Sequence, residues 1–219
     1  MNEIKLFIFD LDGTLYCLND VVAMNYQMQL DFYMAYIGKS KDETVRIFEN
    51  NNIFPIINEK SKSATEFFLK TGIQASEWNN YRESHFNCHS IKKSTSAKED
   101  IIRCFANLAP LVLLSSNSQK NIEMILDHIG IDIKIFDETI CSDANYAEGV
   151  FNKKREMQLL AERKGILCSD IFSIGDRYKT DVEPLVELGG HGAVIKTPDD
   201  LIKVYRGIVN NEFSDVDLR

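Results

Sequence analysis

The sequence predicts an α/β fold, a doubly wound parallel sheet with an α-helical segment inserted after its first strand. Three observations carry this expectation. Short, mostly apolar runs at Ile4–Phe9, Leu111–Ser115, Ile171–Ile174 and Ala193–Ile195 lack a polar face, the pattern of strands covered by helices on both sides. Each later run ends in a polar or glycine-bearing turn and then opens a stretch with helical spacing. Between the first run and the second, residues 19 to 98 carry helical spacing throughout and no strand-like run.

Taken in chain order, the first strand leads through Tyr16–Asn19 into "DVVAMNYQMQLDFYMAYIG", "KDETVRIFENNN", "KSATEFFLKTG" and "SEWNNYRESHF". Each shows apolar residues three or four apart and closes at Gly or Asn, as helices do. The expected division is a core of residues 1–16 and 97–219 with a helical cap of residues 17–96, the second boundary falling at Ser94–Lys98. Core helices are expected near Gln119–His128, Glu156–Lys164, Asp181–Leu188 and Asp199–Tyr205.

Composition narrows the function classes. The 219 residues are 44% hydrophobic and 26% charged, enough for a sizeable core. With 33 acidic residues against 25 basic, the net charge of -8 argues against nucleic acid or a membrane surface as the main partner. The N-terminal apolar run is too short for a signal sequence or a membrane span. Five cysteines without a C-x-x-C pair suggest neither a disulfide framework nor a zinc ribbon, so a reduced, cytoplasmic location is expected. Oligomeric state is not legible.

Four clusters carry chemistry. In "FIFDLDGTLY" a buried-strand pattern ends in Asp10 and Asp12, whose side chains point the same way if the segment is extended. Ligands of α/β sheets bind beyond the carboxyl ends of strands, and two carboxylates this close call for a cation, best met by a hard divalent ion. Gly13 permits the turn and Thr14 adds a hydroxyl; the bland alternative is a capped turn. In "LLSSNS", an apolar run ends in hydroxyls at a helix start, a ready phosphate cradle with Ser116 or Ser115 as ligand and Ser116 preferred. In "NKKRE", Lys153 and Lys154 stand where the helix macrodipole disfavours cations unless an anion is near, or else lie on a solvated face. In "FSIGDRYKTD", Asp176 follows another strand and can reach the same ion, while Asp181 can hold its water or the lysine.

Together these clusters resemble the motifs of the haloacid dehalogenase (HAD) superfamily of aspartate-dependent phosphatases, with its Rossmann-like core. "DLDGT" resembles the first motif, "SSN" the second, the lysine of "NKK" the third and "GDRYKTD" the fourth, and a helical cap after the first motif fits members of that kind. The resemblance implies Asp10 as nucleophile, forming an aspartyl phosphate, and Asp12 as general acid and then base. It implies Ser116, Asn117 and Lys153 at the phosphoryl group. It further implies Mg²⁺ held by Asp10, Asp176 and the main-chain carbonyl of Asp12, with Asp181 and Thr14 supporting. Lys154 stands where proline commonly follows the third-motif lysine, so Lys153 is preferred with Lys154 as the alternative.

Dehalogenating relatives lack the second aspartate, so Asp12 favours phosphate monoester hydrolysis, with a nucleotide monophosphate or sugar phosphate as the substrate class. A phosphomutase would share every core residue, and a non-catalytic phosphate- or protein-binding member would be expected to have lost the costly carboxylates. Phosphonate cleavage needs a cap lysine, but Lys39 and Lys41 lie in a polar turn, "IGKSKDE". Tyr26, Phe32, Tyr33, Tyr36 and Trp78 could stack on a base, though helical spacing reads as core. "HFNCH" sets His85 and His89 four residues apart with Cys88 between, a spacing that could bind a transition metal, but with no second ligand pair elsewhere a partly exposed cap helix is the preferred reading.

Overall fold

The computed structural model describes residues 3–54, 62–92, 97–142 (backbone only at 97 and 98) and 151–212. Within these, strands β1 (Leu6–Phe9), β2 (Leu111–Leu114), β3 (Glu138–Ile140), β4 (Ile171–Gly175) and β5 (His191–Val194) form one sheet in the order β3-β2-β1-β4-β5. All four pairings are parallel. The chain runs outward from β1 through β2 to β3, then crosses back to place β4 on the other side of β1. The order therefore reverses between β1 and β4, and the crevice beyond their carboxyl ends is where such sheets bind ligands.

Among the described residues, α1 (Val22–Ile37), α2 (Lys41–Asn50), α3 (Ala64–Lys70) and α4 (Ala75–His85) follow β1 in the insertion. Their ends follow local chemistry. Ser40 caps α2 in a reciprocal box with Glu43, and α1 stops at Gly38 in the left-handed region, φ 65°. Helix α5 (Ala97–Ala106) then returns to the sheet, where Phe105 packs edge-on against Phe7 and Phe9, ring centroids 5.2 Å apart in both pairs. The expected boundary at Ser94–Lys98 lies largely outside the described residues.

Alternation along β1 divides the core. Phe7 and Phe9 join residues of α5, α6 (Gln119–Ile129) and α9 (Leu201–Val209) on one face. Leu6 and Ile8 join Met157 and Leu160 of α7 (Lys153–Lys164) and Leu185 of α8 (Glu183–Val186) on the other. The first face continues into an aromatic cluster of the insertion, where Phe32 meets Trp78 at 5.1 Å and Tyr33 stacks on Phe68 at 5.5 Å. These aromatics are core, as their spacing suggests.

The structure departs from expectation at several ends. β3 and α5 were not anticipated as separate elements. α7 begins at Lys153, three residues earlier than expected, because Asn152 caps it by accepting from the Arg155 N–H. The single helix expected over Asp181–Leu188 is instead a wide turn, Tyr178–Val182, followed by α8. Pro184 has no N–H to extend the preceding turn and fits only the first turn of a new helix. Among the described residues, no helix is long and apolar enough to cross a membrane.

Candidate active site

The site begins where β1 ends. The Asp10 N–H donates to the Ile174 carbonyl of β4 at 2.9 Å, so the sheet ladder itself fixes this aspartate beside β4. Leu11 and Leu15 are fully buried and anchor the following turn. Within it, Gly13 has φ +82°, and a Cβ there would lie 2.4 Å from Asp176 Oδ2. At the tip of β4, a Cβ on Gly175 would fall 2.2 Å from the Asp181 Cβ. Both positions need glycine because carboxylates crowd the backbone.

Asp10, Asp176 and Asp181 bring carboxylate oxygens within 4.8 Å of one another. Lys153, at the first turn of α7, reaches into this cluster and donates to Asp10 Oδ1 at 2.6 Å and Asp181 Oδ1 at 2.7 Å. This explains a lysine at a helix N-terminus, where the macrodipole alone would disfavour it. Asp181 also accepts from the Arg177 N–H at 2.9 Å and the Thr180 hydroxyl at 3.0 Å. Thr14 donates to Asp10 Oδ2 at 3.3 Å.

Three carboxylates against one lysine leave two negative charges in a largely buried cluster. The protein answers by holding protons. Burial pushes Asp10 up to about 8 against the pull of Lys153, with Asp181 and Asp12 adding repulsion. Burial likewise raises Asp176 to about 6, opposed by Arg177. For Lys153, burial disfavours the charge, but the Asp10 and Asp181 carboxylates outweigh it, so the ammonium stays charged. Hard oxygen donors that hold protons for want of positive charge fit a hard divalent cation, which would take the protons' place.

Asp12 stands outside this group and is held by different partners. Its Oδ2 accepts from the Asn117 amide at 2.7 Å, and its Oδ1 accepts from the buried Tyr16 hydroxyl. Burial and the nearby Asp12 charge push the Tyr16 phenol well up, so it remains a donor. Asn117 Oδ1 in turn accepts from Arg82 of α4, whose guanidinium lies 5.8 Å from the Trp78 ring centroid. The insertion therefore reaches Asp12 through one asparagine.

The remaining expected residues fall as follows. Ser116 is exposed and lines the cavity, whereas Ser115 is fully buried with its hydroxyl accepting from the Asn117 N–H. Asn117, expected at the phosphate, is buried with its amide committed to Asp12 and Arg82. Lys154 pairs with Glu187 at 2.7 Å in an exposed contact. Lys39 and Lys41 are exposed, and neither they nor Tyr26, Phe32, Tyr33, Tyr36 or Trp78 line the cavity. His85 stacks on Tyr81 at 3.8 Å, and its Nδ1 lies 2.8 Å from the Tyr81 carbonyl. Sequence reasoning missed Tyr16 and Arg82. A tyrosine four residues after Asp12 was a weak signal, but nothing in the sequence ties Arg82 to a residue 35 positions later.

A cavity of about 470 Å³ lies over these groups, within the range of small-molecule sites. Its floor carries Asp10, Asp12, Ser116, Lys153 and Asp176, and the insertion contributes Ser63, Thr65, Glu66, Asn79 and Arg82.

A family model described as haloacid dehalogenase-like hydrolase matches residues 4–189. The chain belongs to this family. As a HAD-like hydrolase it is an enzyme, with the parallel Rossmann-like sheet of that family. No curated protein sequence matches it. Among solved structures it is similar to a HAD phosphatase from Thermococcus onnurineus at a TM-score of 0.60 and 19% identity, covering 92% of this chain and 97% of that one. A HAD-like family hydrolase from Streptococcus pneumoniae gives a TM-score of 0.60 at 16% identity, covering 97% of this chain and 100% of that one. A HAD family enzyme from Bacteroides thetaiotaomicron, crystallised with magnesium and inorganic phosphate, gives a TM-score of 0.53 at 14% identity over 93% of this chain and 100% of that one. At such identities the likeness is one of fold.

Proposed function

We propose that this HAD-like hydrolase is a Mg²⁺-dependent phosphate monoesterase that works through an aspartyl phosphate on Asp10. The observation that carries the reading is the division between the two aspartates of "DLDGT". Asp10 lies against Lys153 in the carboxylate cluster, while Asp12 is held apart by Asn117 and Tyr16. This division supports giving attack to one carboxylate and proton transfer to the other.

In this account Asp10 and Asp176, with the main-chain carbonyl of Asp12, would hold Mg²⁺, and Asp181 would support them by fixing Lys153. When bound, the ion would supply positive charge against the phosphate and the buried carboxylates. Lys153 and Ser116 bind the equatorial phosphoryl oxygens. Asp10 attacks phosphorus as Asp12, which must enter this step in its acid form, protonates the departing alkoxide. Asp12, then ionised, takes a proton from the water that cleaves the aspartyl phosphate. Asn117 and Tyr16 hold Asp12 in position for both steps.

We further assign residues 17–96 as a cap and residues 1–16 and 97–219 as the catalytic core. The insertion lines the cavity with Ser63, Thr65, Asn79 and Arg82 beside Glu66, Leu69 and Ala75, a mixed wall that suits the hydroxyls and the apolar ring face of a sugar phosphate or nucleotide monophosphate. The test is hydrolysis of para-nitrophenyl phosphate with and without Mg²⁺, in the native protein and in Asp10→Asn. The reading requires activity that depends on the ion and disappears in the variant; activity indifferent to the substitution would reject it.

A further inference from the structure

A second cluster of metal-binding side chains lies away from the cavity. Cys88 and His89 sit in a short turn, Cys88–Ser90, just after α4 on the return limb of the insertion. His128 lies in the last turn of α6. The Cys88 sulfur and a ring nitrogen from each histidine lie within 4.8 Å of one another. The two imidazoles meet edge to face with centroids 5.2 Å apart. None of the three lines the catalytic cavity.

The hydrogen bonding favours ligation. His128 Nε2 lies 2.9 Å from the Ile91 carbonyl, which can only accept, so this nitrogen carries the proton. Nδ1 is then left with its lone pair available, and a backbone carbonyl fixes the ring from behind, the usual support for a metal-bound histidine. The Cys88 thiol is free and buried, while His89 is exposed and gives an ion a way in. Tetrahedral zinc with bonds of 2.0–2.3 Å sets its donors about 3.5 Å apart, a separation that small side-chain rotations can reach from this arrangement.

We propose that Cys88, His89 and His128 form a site for a divalent transition metal of the zinc class, completed by water. One sulfur and two imidazoles suit such an ion and are poor ligands for magnesium, so this site and the carboxylate cluster select different metals. Two ligands come from the return limb and one from α6, so the metal braces the insertion's exit against the sheet. The proposal stands independently of the phosphatase reading.

The test uses the full chain with Mg²⁺ in excess, titrated with Co²⁺ and followed by thiolate-to-cobalt charge-transfer absorption. One equivalent should raise the band in the native protein. Cys88→Ser should abolish it, His128→Gln should diminish it, and Asp10→Asn should leave it intact. Absence of the band in folded native protein, or its survival in Cys88→Ser, would overturn the proposal. X-ray absorption of the native protein with one equivalent of Zn²⁺ decides the matter without any variant. One sulfur and two nitrogen neighbours are expected, and a shell of oxygens alone would refute it.

Discussion

Raising the pH of the magnesium-free protein from 6 to 8 is expected to destabilise it, and magnesium is expected to cancel the effect. Burial holds Asp10 up to about 8, whereas its ordinary value is 3.8. Between those limits the folded protein keeps a proton that the unfolded chain has released, so stability falls as pH rises and levels off above the folded value. At about 1.4 kcal/mol per pH unit, and allowing for rounding near 8, the loss between pH 6 and 8 is about 2 kcal/mol. Asp176, raised to about 6, adds to the slope mainly below that pH. For a chain of this size the loss corresponds to a Tm roughly 4–8 °C lower. Thermal unfolding followed by circular dichroism in EDTA at pH 6, 7 and 8 measures it. Saturating Mg²⁺ should flatten the profile because the cation replaces the proton, and Asp10→Asn should flatten it in EDTA. A magnesium-free Tm that holds level or rises across this range would refute the charge argument.

Three further perturbations separate the roles of the site residues. Asp12→Asn should lower kcat for an alkyl phosphate by roughly 10²–10⁴, and by far less for para-nitrophenyl phosphate, whose leaving group needs no proton; equal losses on both would contradict the acid role. Gly13→Ala forces a side chain into the left-handed region at φ +82° and against Asp176, so it should cost at least about 1–2 kcal/mol in denaturant titration. It should also raise the Mg²⁺ concentration needed for half-maximal activity. Arg82→Ala removes the charged partner of Asn117 and should lower kcat/KM by about tenfold, the worth of one such hydrogen bond. Arg82→Lys should not restore it, because an ammonium lacks the planar fork; unchanged kinetics in both would remove Arg82 from the site.

What the sequence discloses and what it hides divide along the range of the forces involved. The tips of β1 and β4 are legible because an apolar run that stops at Asp10 or at Gly175-Asp176 is a local pattern, and strand alternation then orients the side chains. β3 is not, because "ETI" is three residues long and exists only through its ladder to β2. Sequence favours Lys153 over Lys154 only by motif position. They lie about 100° apart around a helix, and only the tertiary fold turns Lys153 to Asp10 and Lys154 to Glu187. Ser115 and Ser116 are neighbours of the same kind, one facing the core and the other the cavity. Asn117 read as a phosphate ligand because its motif is local, whereas its commitment to Asp12 and Arg82 arises from chain folding. The pairing of His89 with His128 is also non-local, which is why "HFNCH" pointed to His85 instead.

The central claim is that the Asp10 carboxylate itself attacks phosphorus. Acid quenching during turnover of a phosphate monoester in the presence of Mg²⁺, followed by peptide mass spectrometry, tests it most directly. The account predicts a hydroxylamine-labile phosphoryl group on the peptide containing Asp10, enriched in Asp12→Asn and absent in Asp10→Asn. A phosphoryl group on any other side chain, or full turnover by Asp10→Asn, would contradict it.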